Sequence, residues 1–337
     1  MRFKSLRIIG VILLSATALI SCGSSEKAAD PAAGDGIKIG IITSGLQNDL
    51  GWNQGIIDAA KKLETEGLIT LTVVEQGYNV TAEDTVRAAS DLAEAGNQLV
   101  IAHSFNYGEP LKTMIDTYPK VLFAYAGGFG DITKNLADYS QPFYESAFLA
   151  GILAGGVTKT GVLGGTAGFD IPVCHSMLMA FAEGAKLSYK GKVNMIPSYI
   201  GSWGDPAKTK EAVLAMVDQG ADVSIPCGVE AGTTEGAKAT NTGAIGYVMD
   251  QSSLAPKNIL ASIVWNLDEV IRAMVSDIKA GTALPAKYYS LGYQQGGTSV
   301  VINKQYPIAI PDETMAIFDE YAAKMKDGSF IVPFIDK

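Results

Sequence analysis

Short aliphatic and β-branched runs alternate with amphipathic stretches along most of the chain, and this alternation is the pattern of βαβ units wound into a parallel sheet. Strands are predicted over residues 37–43, 71–75, 98–103 and 120–126, with helices over 53–66, 81–95 and 109–117. A second series follows, with strands over 161–165, 192–199, 223–226 and 244–249 and helices over 171–189 and 206–219. Two α/β halves in series imply two doubly wound lobes, and ligands of such sheets settle beyond the carboxyl ends of the strands. The site is therefore expected between the lobes. The strand at 259–266, the helix at 267–280, the stretch 288–302 and a final helix at 312–326 remain to be placed. If the chain recrosses, each lobe is discontinuous: residues 37–140 plus 264–290 form one, and 141–263 plus 291–337 the other.

The first 36 residues read differently. Arg2, Lys4 and Arg7 precede an apolar run over residues 8–14, continued by Ala16, Ala18, Leu19 and Ile20. That run falls short of the ~20 apolar residues a bilayer-spanning helix needs, so residues 1–21 read as a signal peptide. It ends in Leu19-Ile20-Ser21-Cys22, which looks like a bacterial lipobox, making Cys22 the expected lipidation site and first residue of an exported, membrane-anchored lipoprotein facing the periplasm or the cell exterior. Residues 22–36 are rich in Gly, Ser and Ala and read as a tether.

The net charge is −9, without a basic stripe, which argues against a nucleic-acid partner. Beyond Cys22 there are two cysteines, Cys174 and Cys227, at no recognisable spacing. They can pair in an oxidising compartment or sit buried as small hydrophobes, and the second is the expectation. With His103 and His175 the only histidines and no cysteine–histidine cluster, no metal is expected.

Five phrases carry a family resemblance. They are Asp49-Leu50-Gly51-Trp52-Asn53-Gln54-Gly55, Phe143-Tyr144-Glu145 with Phe148-Leu149-Ala150-Gly151, Gly201-Ser202-Trp203-Gly204-Asp205-Pro206, Gln219-Gly220-Ala221-Asp222-Val223 and Val264-Trp265-Asn266. In order and spacing, over about residues 37 to 300, they resemble the basic membrane protein family of purine-nucleoside, purine-base and riboflavin receptors. The resemblance implies a type I periplasmic-binding-protein fold, two parallel-sheet lobes joined by a three-segment hinge. It also implies a binding lipoprotein that serves the permease and ATPase subunits of an ABC importer and has no cofactor besides its solute. A shuttle that must open and close is most simply a monomer.

Trp52, Phe105, Tyr107, Phe143, Tyr144, Trp203 and Trp265 fall at or just past predicted strand ends, where rings can face a cleft and stack on a flat heterocycle. Asn48, Asp49, Asn106, Asp205, Asp250 and Asn266 are the polar groups placed to read the ligand's edge. Asp205, followed by Pro206, also carries an N-cap signature. Where purine-nucleoside receptors carry Val-Asp-Ser-Asp-Gln, this chain has Tyr247-Val248-Met249-Asp250-Gln251, and Trp265 stands where they carry a lysine. Losing a carboxylate and an ammonium weakens the grip on ribose hydroxyls. Gly127, Gly128, Gly164, Gly165, Gly168 and Gly228 leave room for a broad ring, which inclines the expectation slightly toward riboflavin, with a purine base or nucleoside close behind. Two features of the rival class, an exported enzyme, are weak. The glycines of residues 161–168 lack dinucleotide spacing, and adjacent His103 and Ser104 point to opposite faces of a strand.

Overall fold

The computed structural model describes residues 36–77 and 80–336; the expected signal peptide, Cys22 and nearly all of the expected tether lie outside the described residues. The first sheet is parallel throughout, with strand order β11-β5-β4-β3-β1-β2. Its strands are β1 (Ile37–Thr43), β2 (Ile69–Glu75), β3 (Leu99–Ala102), β4 (Leu122–Tyr125), β5 (Leu136–Tyr139) and the two-residue β11 (Tyr288–Tyr289). The second sheet has the order β12-β10-β9-β8-β6-β7, parallel except where β12 runs against β10. It comprises β6 (Val162–Ala167), β7 (Asn194–Tyr199), β8 (Val223–Cys227), β9 (Gly243–Val248), β10 (Ile259–Trp265) and β12 (Thr298–Ile302).

Both faces of each sheet are covered, as a parallel sheet requires. In β1, Ile39 and Ile41 join the core that includes Ile56, Ile57 and Leu63 of α1 (Trp52–Thr65), while Ile42 joins Ala89 and Leu92 of α2 (Ala82–Glu94) on the opposite face. Gly40 also faces α2, because a Cβ there would fall 2.7 Å from Leu92 Cδ1. Thr81 starts α2 with a reciprocal capping box to Asp84.

The chain passes between sheets three times: after β5, after β10 and between β11 and β12. The middle passage comes two residues later than the 263/264 boundary read from the sequence, because Val264 and Trp265 still pair with Ser299 and Thr298 of β12. The helix α8 (Leu267–Ala280) then returns to pack on α1 of the first lobe, where Lys62 meets Asp268 and Arg272 meets Glu66.

Three elements escaped sequence reading. The strand β5 has only four residues. The helix α4 (Phe143–Val157) is apolar on all sides, so it shows no amphipathic period; it is buried against α5 (Pro172–Ser188), with Gly151 and Gly184 at the contact. A Cβ on Gly151 would sit 2.1 Å from the Phe181 carbonyl oxygen, and one on Gly184 1.9 Å from that of Phe148. The third, α7 (Glu230–Thr240), contains two glycines and three threonines, poor helix formers. The helix predicted over 109–117 breaks into α3 (Gly108–Lys112) and a 3₁₀ turn at Ile115–Thr117. α6 (Pro206–Asp218) and α9 (Asp312–Asp327) complete the set.

Cys174 and Cys227 form a disulfide, with Cα atoms 5.6 Å apart, and this corrects the expectation of two free buried thiols. The pairing carried no sequence signature because its halves, the first turn of α5 and the last residue of β8, meet only through the fold. Replacing both cysteines with alanine is expected to lower unfolding free energy by about 2–4 kcal/mol. A denaturant midpoint equal to that of the oxidised wild type would contradict this.

Candidate functional site

The loops after β1, β3, β6, β7 and β8 all open at one end of the sheets, the carboxyl end, and together with the end of β9 they enclose a cavity of about 370 Å³ between the lobes. From the first lobe come Ser44, Asp49, Trp52, Asn53, Phe105, Asn106 and Tyr107. From the second come Trp203 and Asp205, the Cys174–Cys227 disulfide, Gly228, Glu230 and Tyr247. The lobes touch across it, with the Phe105 and Trp203 rings 6.2 Å apart edge to face and Gln251 Nε2 donating to the Leu50 carbonyl at 2.7 Å.

The helix α1 points its N-terminus at the cavity. Asp49 organises that end, its carboxylate accepting from the backbone N–H groups of Gly51, Asn53 and Gln54 and from Asn53 Nδ2 at 2.8–3.0 Å. Carboxylate oxygens are favoured there because the first N–H groups of a helix lack internal partners. Trp52 starts the helix; its ring stacks on His103 at 4.6 Å and its Nε1 donates to the His103 carbonyl at 2.9 Å.

His103 itself is fully buried. Its Nε2 lies 3.1 Å from the Trp52 carbonyl, which can only accept, so Nε2 carries the hydrogen and Nδ1 accepts from the Tyr139 hydroxyl at 2.7 Å. Burial drives its pKa down to about 3, only partly offset by the Trp52 hydrogen bond. The imidazole is therefore a neutral structural brace beneath Trp52.

Trp203 lies on two glycines. A Cβ on Gly168 would fall 2.1 Å from its ring and one on Gly228 2.8 Å, so any side chain at either position collides with the indole. Gly228 is also at φ +76°, a conformation costly for other residues. Asp205 caps α6, accepting from the Lys208 N–H at 2.9 Å, so the N-cap role read from Asp205-Pro206 is present while the residue also lines the cavity.

Of the sequence-derived site residues, Asp49, Trp52, Phe105, Asn106, Tyr107, Trp203 and Asp205 line the cavity. The others do not. Asn48 is exposed beside it. Phe143 is buried against Tyr247 and Trp265 at ring distances of 4.4 and 5.1 Å, because α4 begins inside the core. Tyr144 packs on Phe334. Trp265 is also buried, touching Trp52, His103, Tyr139 and Phe143, and its Nε1 is without a partner. Asp250 spends its carboxylate on Ser252 and Ser262, and Asn266 donates to the Gly296 carbonyl in the hinge. Of the six glycines read as room for a broad ring, only Gly228 reaches the cavity.

Sequence reading missed Glu230, because it sits in the first turn of the unforeseen α7. Burial raises its pKa to about 7, with the nearby Asp49 carboxylate adding to the effect and backbone N–H groups, including that of Trp52, opposing it.

Residues 37–319 match the model of Bmp, described as ABC transporter substrate-binding protein, PnrA-like. This chain belongs to the Bmp family. Bmp relatives include a purine-binding protein of Brucella abortus, 27% identical over 300 residues that cover 87% of this chain and 81% of that protein. Basic membrane protein D of Borreliella burgdorferi is 26% identical, covering 85% and 84% respectively. A solute-binding protein of an ABC transporter system from Conexibacter woesei shares the fold, with a TM-score of 0.73 at 20% identity over 89% of this chain and 100% of that one. Another, from Aeropyrum pernix, superposes with a TM-score of 0.74 at 21% identity, covering 88% and 94%. The fold is thus that of periplasmic binding proteins, and the function that of an ABC transporter substrate-binding protein.

Two outcomes test this site. Trp203→Ala is expected to lose ~1 kcal/mol or more of ligand binding by calorimetry, with an unchanged far-ultraviolet spectrum, since it removes an aromatic face and its buried area. For His103, the folded pKa lies below the unfolded one, so the unfolded chain takes up a proton that the folded chain refuses. Stability should fall as pH drops from ~6.5 toward 3. A melting temperature whose acid slope is the same in His103→Gln would remove that role.

Proposed function

We propose that this chain captures a purine base outside the cytoplasm and delivers it to the permease and ATPase subunits of an ABC importer. The observation that carries the reading is a cavity of about 370 Å³ with Trp52 and Phe105 from one lobe, Trp203 and Tyr247 from the other, and no lysine, arginine or histidine among its described lining residues. Aromatic faces hold a flat heterocycle. A cation-free lining with three carboxyl groups, those of Asp49, Asp205 and Glu230, favours ligands that offer N–H donors and disfavours phosphates. A purine-binding relative fits this chemistry.

The volume lies near the lower end of the ~300–1,000 Å³ range of small-molecule sites, which suits a two-ring base better than a three-ring flavin with its side chain. Riboflavin is therefore the second reading, since the glycines that favoured it lie mostly outside the cavity. Nucleosides rank below bases, because Asp250 is engaged elsewhere and the described lining residues offer no ammonium for the ribose.

Binding works by a population shift: ligand that touches both lobes favours the closed arrangement only through its extra affinity for it. The protein acts as a monomer without cofactor, held at the membrane through a lipid on Cys22. Among the described residues no helix is long and apolar enough to cross a membrane.

Native mass spectrometry of protein purified without added ligand, followed by titration with adenine, guanine, hypoxanthine and riboflavin, tests the assignment. A retained or tightly bound purine base is the expected result. A yellow protein carrying a flavin mass would replace purine with riboflavin.

A further inference from the structure

The purine reading leaves unexplained why a carboxyl is buried where the two lobes meet. Glu230 belongs to the second lobe, yet a Cβ on Gly51 of the first lobe would fall 1.6 Å from its Oε1. Its carboxyl therefore touches the backbone at the start of α1, within hydrogen-bonding reach of the Trp52 N–H. The contact needs glycine at 51 and the reach of a glutamate at 230. It exists only while the lobes are together, because the partners belong to different sheets.

Its surroundings favour the protonated acid. Asp49 faces it from the segment before α1, and the Tyr247 hydroxyl, held protonated chiefly by burial, faces it from β9. Behind Trp52, His103 is neutral. On α6, Lys208 turns its Nζ to the Ile200 carbonyl and so supplies no cation to Glu230, while the Asp205 carboxylate accepts from the Lys208 N–H as the helix cap. The opposing contributions are the backbone N–H groups at the starts of α1 and α7.

We propose that Glu230 is a specificity-determining latch, whose protonated carboxyl bridges the closed lobes at the start of α1 and reads a ligand edge in which a ring nitrogen lone pair adjoins an N–H. A protonated carboxyl offers one donor and one acceptor side by side, the complement of that edge; an ionised one offers only acceptors. This deepens the purine-base reading and rests on it, since purine bases carry such edges. Closing takes Glu230 from water, where its pKa is ordinary, to a site where burial lifts it to about 7, so closure takes up a proton. The sign follows: the closed, ligand-holding form is favoured as pH falls through about 7 and weakened above it.

The experiment measures adenine affinity of the full chain at pH 6 and pH 8, alongside the ligand-free radius of gyration by small-angle scattering at the same two values. Wild type should bind about tenfold more tightly at pH 6, the consequence of a closed-form pKa near 7 and an open-form value near 4.5. Glu230→Gln, which keeps a donor and an acceptor but cannot ionise, should bind equally at both, and Glu230→Asp, too short to reach Gly51, should bind more weakly at both. A wild type indifferent to pH, or a Glu230→Gln variant that keeps the tenfold slope, overturns the latch. If adenine fails to bind at either pH, the purine reading falls. The latch is then decided by scattering, where compaction at pH 6 in wild type but not in Glu230→Gln supports it and its absence rejects it.

Discussion

The aromatic cluster at the floor of the cleft holds the rest of the structure in place. Trp265 ends β10 at the middle crossing between lobes, and its ring meets Trp52 and His103 from the first lobe and Phe143 from the second within 5.1–5.5 Å. Tyr139, at the end of β5, joins at 5.8 Å, and Phe143 continues to Tyr247 at 4.4 Å. Burying large rings in mutual edge and tilted contact is among the strongest sources of packing stability, and here it is placed where the chain changes lobes. The core consequently runs through both lobes without a break.

The ligand-facing parts stand on that floor. Trp52 is fixed by His103, which must stay neutral to fit, and Trp203 is fixed by Gly168 and Gly228, whose missing side chains make its bed. Next to Gly228 the Cys174–Cys227 disulfide ties the end of β8 to α5. Rigid shelves of this kind lower the ordering cost of binding, so more of the contact energy appears as affinity. Opposite them, α1 offers a helix N-terminus already occupied by Asp49, and a second carboxyl, Glu230, sits there with its proton favoured chiefly by burial and further by the Asp49 charge.

Local pattern carried most of the fold. The strand β1 and the helix α8 have the bounds their residue patterns predict, because one is a clean aliphatic run and the other an amphipathic stretch ended by Gly281 in the left-handed conformation. Where pattern failed, its physical basis was absent: α4 is apolar on every side, and α7 is built of residues with little helical preference, held in place by packing against α6. The site was legible in the same measure. Seven expected residues line the cavity because strand ends of an α/β sheet define its rim. Phe143 and Trp265 were misjudged because an aromatic at a strand end or helix start can point up into the cleft or down into the hinge, and the sequence does not distinguish these directions.

By itself, then, the sequence determined two parallel-sheet lobes, a cleft at their carboxyl ends, and Trp52, Phe105, Trp203 and Asp49 as parts of its wall, since these follow from periodicity, strand ends and family motifs. Only the tertiary structure decided that Cys174 pairs with Cys227, that Trp203 rests on Gly168, and that Glu230 reaches Gly51. Each of these joins residues far apart in the chain, and such distances close only when both lobes have folded and met.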